Sequence, residues 1–407
     1  MRVPVLNQNG KPLMPTKSSR ARRWLKEGKA KVVYNDLNVF CIQLLIEPSG
    51  YEQQPIALGL DPGKKFTGVG VQSAKFTLFM AHLILPFSDV TKKMSVRLIL
   101  RRARRGRRIN RKEPFNQRTH RQKRFDNRKQ NKLPPSIRAN IELELRVTKE
   151  LLKLFPVTQI TYEYVKAKGD KGFSPVMVGQ KVMLQWLEKI APTNKQEGWQ
   201  TSILRKQLGL AKDKKNKEKQ TPETHAHDGI ALAASNFMKF EKFHTANTRG
   251  HHWVGEIIVT SAPFRVVARP NLFRRQLHFE NPVKNVSGNR KRKGGTITPF
   301  GLRSGDLVKA EKAGKVYIGW VGGYTQTAKT KNVSVYDHNW HRLGQFSPSK
   351  VQLLKRNTRL CVVSARHWTT SFLRRPAVPP QATPLRSVEP GDSRDSVESV
   401  HLPHFLP

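Results

Sequence analysis

Three acidic residues stand where an unpaired carboxylate is hard to accommodate. Asp61 ends the apolar run from Ile56 to Leu60, Glu163 interrupts the strand-like stretch from Ile160 to Val165, and Asp228 falls one turn into an alanine-rich helix. A carboxylate buried in such surroundings is costly unless it is paired or holds a metal ion. Gathered at one edge of a sheet, the three would form a hard oxygen cage suited to Mg²⁺, with two ions serving an in-line phosphodiester displacement. His225 precedes Asp228 by three residues, which puts both on one helical face and lets the imidazole orient a water or move its proton. The order strand Asp, strand Glu, helix His-x-x-Asp therefore reads as a ribonuclease H-like site. Taken singly, each acid would be read as a cap or a surface charge.

Other groups that could do chemistry are set aside on spacing. His225-Ala226-His227 has no further soft ligand at metal spacing. His244, His251 and His252 fall in a polar stretch without cysteine and read as solvated. Cys41 and Cys361, 320 positions apart, are too few for a disulfide framework or a zinc ribbon and read as small buried hydrophobes.

The elements that must position the acids follow from periodicity and turn residues. Ile56 to Leu60, Phe66 to Val71 and Phe76 to Leu85 are spaced as three strands in hairpin order, with Asp61-Pro62-Gly63 as the first turn. Ser136 is expected to cap a helix whose stripe is Ile137, Ile141, Leu145, Leu152 and Phe155. A strand is expected over 157–165 and a helix over 176–190. Lys212 to Lys219 reads as a loop. The helix bearing Asp228 is expected to start at Thr221-Pro222, proline suiting the first helical position. Before this core, Val3 to Glu27 reads as strand, turn and helix, with Ser18 or Ser19 as the cap, followed by a strand pair over 32–45. From about Ile257 the pattern turns β-rich, as in a small barrel or open sheet.

Charge selects the partner. The 407-residue chain carries 75 Lys+Arg against 29 Asp+Glu, a formal net charge of +46. The excess runs along the whole length and not in one amphipathic patch, which favours nucleic acid over a membrane surface. Apolar runs are far below the roughly 20 residues a membrane helix needs, and the N-terminus lacks the apolar core of a secretory signal, so a cytoplasmic location is expected. The stretch from Arg97 to Lys132 holds 16 Lys+Arg and only Glu113 and Asp126. Arg101, Arg102, Arg104, Arg105, Arg107, Arg108 and Arg111 would repel one another in an isolated helix, and become orderly when phosphates neutralise them. The alternative is a basic linker. Arg20, Arg22 and Arg23 on the first helix, and Arg290, Lys291, Arg292 and Lys293 further on, are read as further phosphate contacts.

Several motifs together resemble the transposon-encoded IsrB family, kin of IscB and of the single-effector CRISPR nucleases, over about residues 1–363. They are Pro12-Leu13-Met14-Pro15, Arg20-Ala21-Arg22-Arg23, Leu58-Gly59-Leu60-Asp61-Pro62-Gly63, and the arginine-rich stretch ending at Leu133-Pro134-Pro135-Ser136-Ile137. Glu163 and His225-Ala226-His227-Asp228 match the second and third RuvC segments. Gly294-Gly295-Thr296, Thr298-Pro299-Phe300-Gly301 and Arg342 to Pro348 match the region that in the family reads the motif beside the DNA target. The resemblance implies an α/β fold: a ribonuclease H-like (RuvC) core with a small N-terminal α+β module, an arginine-rich bridge helix and a β-rich C-terminal domain. The implied boundaries are a module over 1–54, RuvC part I over 55–90, the bridge helix over 91–132, RuvC parts II and III over 133–256 and the target-adjacent-motif domain over 257–366. Residues 367–407 read as a disordered tail.

IscB carries an HNH nuclease between its second and third RuvC segments. Here only 64 residues separate Glu163 from Asp228, without cysteine and with His225 and His227 as the only histidines. One catalytic centre remains. The resemblance then implies a structured guide RNA paired with one strand of a double-stranded DNA target, Mg²⁺ at Asp61, Glu163 and Asp228, and a monomeric ribonucleoprotein that nicks the displaced strand. Two other readings stay open, a non-catalytic RNA-binding protein on the same scaffold and a junction resolvase that works without RNA.

Overall fold

The computed structural model describes residues 1–108, 112–114, 116–117, 132–166, 174–244, 249–269, 278–279, 292–293, 297–327 and 329–369. The N-terminal module is built from β1 (Arg2–Leu6), β2 (Pro12–Lys17), α1 (Ser18–Lys26), β3 (Ala30–Tyr34) and β4 (Phe40–Leu44), with sheet order β2-β1-β4-β3. Its small core is Val3, Val5, Leu13, Ala21, Ala30, Ile42 and Leu44. Neither serine caps α1. The N-cap is Lys17, and Ser18 already lies inside the helix, so no side-chain oxygen reaches the free N–H groups. Arg20, Arg22 and Arg23 are exposed.

The central sheet starts with β5 (Ile56–Asp61), β6 (Phe66–Ser73) and β7 (Thr77–Ile84), paired antiparallel in sequence. Two helices follow, α2 (Phe87–Arg108) and α3 (Pro135–Leu152), which lie against each other. Pro134 is the N-cap of α3 and makes no side-chain cap, so Ser136 is not the cap expected. Next come β8 (Gln159–Tyr164), α4 (Pro175–Glu188), β9 (Thr193–Glu197), α5 (Gly198–Gln207) and α6 (Ala226–Ala234). Strands β8 and β9 join parallel to β5, giving β7-β6-β5-β8-β9 across the sheet. Numbered from β5 this is 3-2-1-4-5 with the second strand reversed, the ribonuclease H-like order.

The chain continues through the hairpin β10 (Lys239–His244) and β11 (Arg249–Val254), then β12 (Ala262–Ala268) and the short pair β13 (His278–Phe279) and β14 (Arg292–Lys293). A five-stranded antiparallel sheet contains β15 (Leu307–Lys312), β16 (Lys315–Gln326), β17 (Lys331–Tyr336), β18 (Arg342–Phe346) and β19 (Val351–Lys355). Last is β20 (Cys361–Trp368). Strands β12 and β20, expected in a separate β-rich domain, instead extend the central sheet beyond β7. Apolar Phe264, Val266 and Val267 explain this, since they are buried against the β7 side of the core.

Helix α6 begins at Ala226, not at Thr221-Pro222. His225 is its N-cap, with φ −142° and ψ −35°, and the stretch before it is a turn in which the Pro222 carbonyl accepts from the His227 amide. All nine residues of α6 are buried. Glycine permits this: a Cβ on Gly59 would stand 2.1 Å from the Gly229 carbonyl oxygen, and one on Gly229 would stand 2.7 Å from the Gly70 nitrogen. The helix axis is in backbone contact with β5 and β6.

Candidate active site

The sheet register aims the acids. Leu60 of β5 is level with Tyr162 of β8, so Asp61 and Glu163 are the next residues along two parallel neighbours. Gly59 faces α6, and side chains two apart on a strand share a face, so Asp61 faces α6 as well. The same holds on β8, where Thr161 accepts a 2.8 Å hydrogen bond from Asn236 Nδ2 just beyond α6 and Glu163 lies two residues on. Helix α6 brings Asp228 to this face. The three acids predicted from the sequence meet at one edge of the sheet.

The three acids also act on one another electrostatically. Burial, then the charges of Asp61 and Asp228, push the Glu163 carboxyl up to about 8. Asp228 is raised by burial and by Asp61, against the opposing pull of Lys212 and Arg205. The Lys212 ammonium contacts Asp228 Oδ2. Burial acts against that ammonium, but Asp228, Asp61 and Glu163 outweigh it and raise its pKa. Arg205 Nε approaches Asp228 Oδ1 to 2.8 Å from the other side, off the hydrogen-bond direction, so the contact is an ion pair. The guanidinium is held by its bonds to the Leu210 carbonyl at 3.1 Å and Ser202 Oγ at 3.4 Å.

The Glu163 carboxylate sits at the start of α5. A Cβ on Gly198 would stand 2.8 Å from its Oε1, and Thr201, one turn further, lowers its pKa through a hydrogen bond. The N-terminal amides of a helix favour a negative charge there.

His225 reaches the cluster as a cap, not from a shared helical face. Its Nδ1 lies 3.8 Å from Asp61 Oδ2, beyond direct hydrogen bonding, while Nε2 donates to the Lys217 carbonyl at 3.2 Å. Nε2 is thus occupied, and Nδ1 is the ring nitrogen that faces Asp61. The ring rests on Phe66 and His82, with centroids 5.5 and 5.2 Å away. His82 is fully buried, and burial first, then His225, drives its pKa down to about 3. Thr224 Oγ1 donates to the Thr221 carbonyl, so it accepts from His82 Nδ1 at 3.1 Å. His82 is thus a neutral wall behind His225. His227 faces the other way, bonded to the Ala211 carbonyl at 2.7 Å and packed on Trp368.

The donor set fits a divalent cation, since carboxylate oxygens are the ligands Mg²⁺ takes, and the upward shifts of Glu163 and Asp228 record a repulsion that a cation would relieve. The oxygen cage expected from the sequence is not ready-made. Among the described residues, no three acid, histidine or cysteine side chains close round a common point, and Lys212 holds an oxygen that a metal would need.

Four members of the site have no counterpart in the sequence reading: Arg205, Lys212, Gly198 and Glu144. Glu144 on α3 is buried and accepts 2.6 Å from Thr67 Oγ1, and burial raises its carboxyl to about 7 with a smaller push from Asp61. Its signal was present, because it breaks the apolar stripe between Ile141 and Val147 as Glu163 breaks its strand. Arg205 and Lys212 carried none, lying in a region of many cations.

The expected phosphate contacts divide. Arg102 and Arg104 are exposed on α2, and Arg101 is half-buried. The backbone of Arg105, Arg107 and Arg108 belongs to the same helix, but their side chains fall outside the described residues, as do Arg111, Arg290, Lys291 and residues 370–407. Arg292 and Lys293 are described only as strand β14. On the α4 face of β8, opposite the acids, a cleft of about 650 Å³ is lined by Tyr164, Gln185 and the lysines Lys166, Lys181 and Lys195.

A family model described as RRXRR protein matches residues 3–179. No curated protein matches the chain. Among solved structures, Thermus thermophilus RuvC in complex with a Holliday junction substrate is 13% identical, covering 44% of this chain and 91% of its own, with a TM-score of 0.25. The T. thermophilus RuvC structure without that description is 12% identical over the same shares, again at 0.25. Strand order carries the assignment: the core is a mixed α/β fold with the ribonuclease H-like order of strands.

Proposed function

We propose that this protein is a metal-dependent DNA endonuclease of the IsrB kind, which nicks the displaced strand of a double-stranded target chosen by a guide RNA. The observation that carries the reading is the meeting of Asp61, Glu163 and Asp228 at one edge of the sheet, with His225 Nδ1 3.8 Å from Asp61. Asp61, Glu163 and Asp228 would hold the cation. Bound there, Mg²⁺ would polarise the scissile phosphate and ease ionisation of the attacking water. His225 is oriented by its bond to the Lys217 carbonyl so that Nδ1 takes the proton of that water. With a cation held there, Lys212 would be free to turn its charge from Asp228 to the phosphate. Arg205 stays, keeping Asp228 ionised and fixed.

A single cutting centre is supported by what fills the interval from Glu163 to Asp228. The described part of it contains α4, β9, α5 and the start of α6, all parts of the core. Cation-rich α1 and α2, and a net charge of +46, support an RNA partner held by its phosphates. Purification from cells with the bound nucleic acid sequenced, followed by cleavage assays on Asp61→Ala, tests the reading. A discrete structured RNA should co-purify with both forms, and Asp61→Ala should keep it while losing cleavage. Full cleavage by Asp61→Ala, or by wild type in excess EDTA, overturns the metal site; absence of a discrete RNA overturns guidance.

A further inference from the structure

Trp199 is the second residue of α5, next to the glycine that touches the Glu163 carboxylate, and its side chain is 48% exposed. The indole is nevertheless held in place. Nε1 donates to Glu197 Oε2 at 3.0 Å, and the ring meets Phe240 and His251 edge-on with centroids 5.5 and 5.6 Å away. Phe240 and His251 lie parallel, 5.2 Å apart, and Phe240 is backed by Trp253 at 4.8 Å. Trp253 ties the hairpin β10–β11 to α5: its Nε1 donates to the Gln200 carbonyl at 3.2 Å, its amide to Gln207 Oε1 at 3.1 Å, and its carbonyl accepts from Gln207 Nε2 at 2.7 Å. His251, expected in a solvated loop, is therefore part of a built aromatic surface.

Pairing in the hairpin extends that surface. Phe240 is opposite Trp253, Lys242 opposite His251 and His244 opposite Arg249, so all six share one face. Lys242 and Arg249 are exposed. The face thus runs from an exposed indole beside Glu163 outward into cations. A lone exposed tryptophan would be ordinary. A braced one, continuous with basic residues and adjoining the acid cluster, matches a partner with flat apolar rings on an anionic backbone. Duplex DNA keeps its bases stacked inside, whereas a single strand offers them.

We propose that Trp199, with Phe240 and His251 behind it, stacks on a base of the single DNA strand led to the acid cluster, while Lys242 and Arg249 take its phosphates. This rests on the cleavage reading above and names the residue that positions the strand at that site.

The test is binding of a fluorescein-labelled single-stranded DNA to the full-length protein in Ca²⁺, with one abasic nucleotide moved along the oligomer. In wild type one abasic position should weaken binding by about 5- to 150-fold, the range of one base–aromatic stack. Trp199→Ala should weaken binding of the intact strand by a similar factor and make that abasic position silent, while Trp199→Phe keeps both properties. Circular dichroism checks the alanine variant, and if it does not fold, the phenylalanine variant and the abasic scan decide. Additive losses, or no sensitive position, would overturn the proposal and leave the patch to a protein partner. Because no cutting is read, wild type that stacks but never cleaves contradicts only the nuclease reading, and wild type that cleaves without a stacking position contradicts only this one.

Discussion

Gly198 leaves room for the carboxylate of Glu163: a Cβ there would stand 2.8 Å from Oε1. The position is the first residue of α5, where glycine offers the helix nothing that alanine does not, so the choice serves the acid and not the helix. Gly198→Ala should leave the protein folded and push the end of the Glu163 side chain aside. Displacement of about 1 Å at a reacting centre costs on the order of 100-fold, and strand-cleavage rates should fall accordingly. Wild-type cleavage by a folded Gly198→Ala protein would show that Glu163 does not act from this position.

Glu144 gives a pH signature in stability. Its folded-state pKa of about 7 lies above the ordinary 4.5, so the folded protein keeps a proton that the unfolded chain releases. Stability from this group is complete below the ordinary value and is lost as pH rises through the folded one. Glu144→Gln can still accept from Thr67 and has no charge to bury. Its stability relative to wild type should rise between pH 4.5 and 7.5 by up to about 3 kcal/mol. Urea unfolding of the two proteins across that window measures the difference; a constant offset would place the carboxylate in a better solvated site.

The fold was legible where one strong local signal set each element. Ile56 to Leu60 and the strands after it gave the hairpin order, and the acids could be picked as polar breaks in apolar runs. Strand β9 was missed because Thr193-Asn194-Lys195-Gln196-Glu197 has no apolar alternation; it is an edge strand set by pairing with β8. The start of α6 was placed too early because Pro222 is a good first helical residue, whereas the chain needs a turn there to set His225 against Asp61. Hairpin β10–β11 was hidden since its aromatics pack on α5, a contact no local pattern encodes. Lys212 and Arg205 could not be singled out because their role depends on a fold that brings residues 205, 212 and 228 together.

The arginines of α2 predict a salt-dependent RNA affinity. Replacing Arg101, Arg102 and Arg104 by Glu should weaken binding of the co-purified RNA and lower the slope of log affinity against log salt by about 2 to 3. Filter binding from low to high salt reads both. An unchanged slope would mean that this helix faces away from the RNA.

Strand choice bears most directly on the central claim that one acid cluster does all the cutting. Supercoiled plasmid carrying the target is incubated with the protein, its RNA and Mg²⁺, and the break is located with strand-specific end labels. The account predicts open-circular product with the break in the strand not paired to the guide, absent with Asp61→Ala. Linear plasmid as the major early product, or a break in the guide-paired strand, would contradict it.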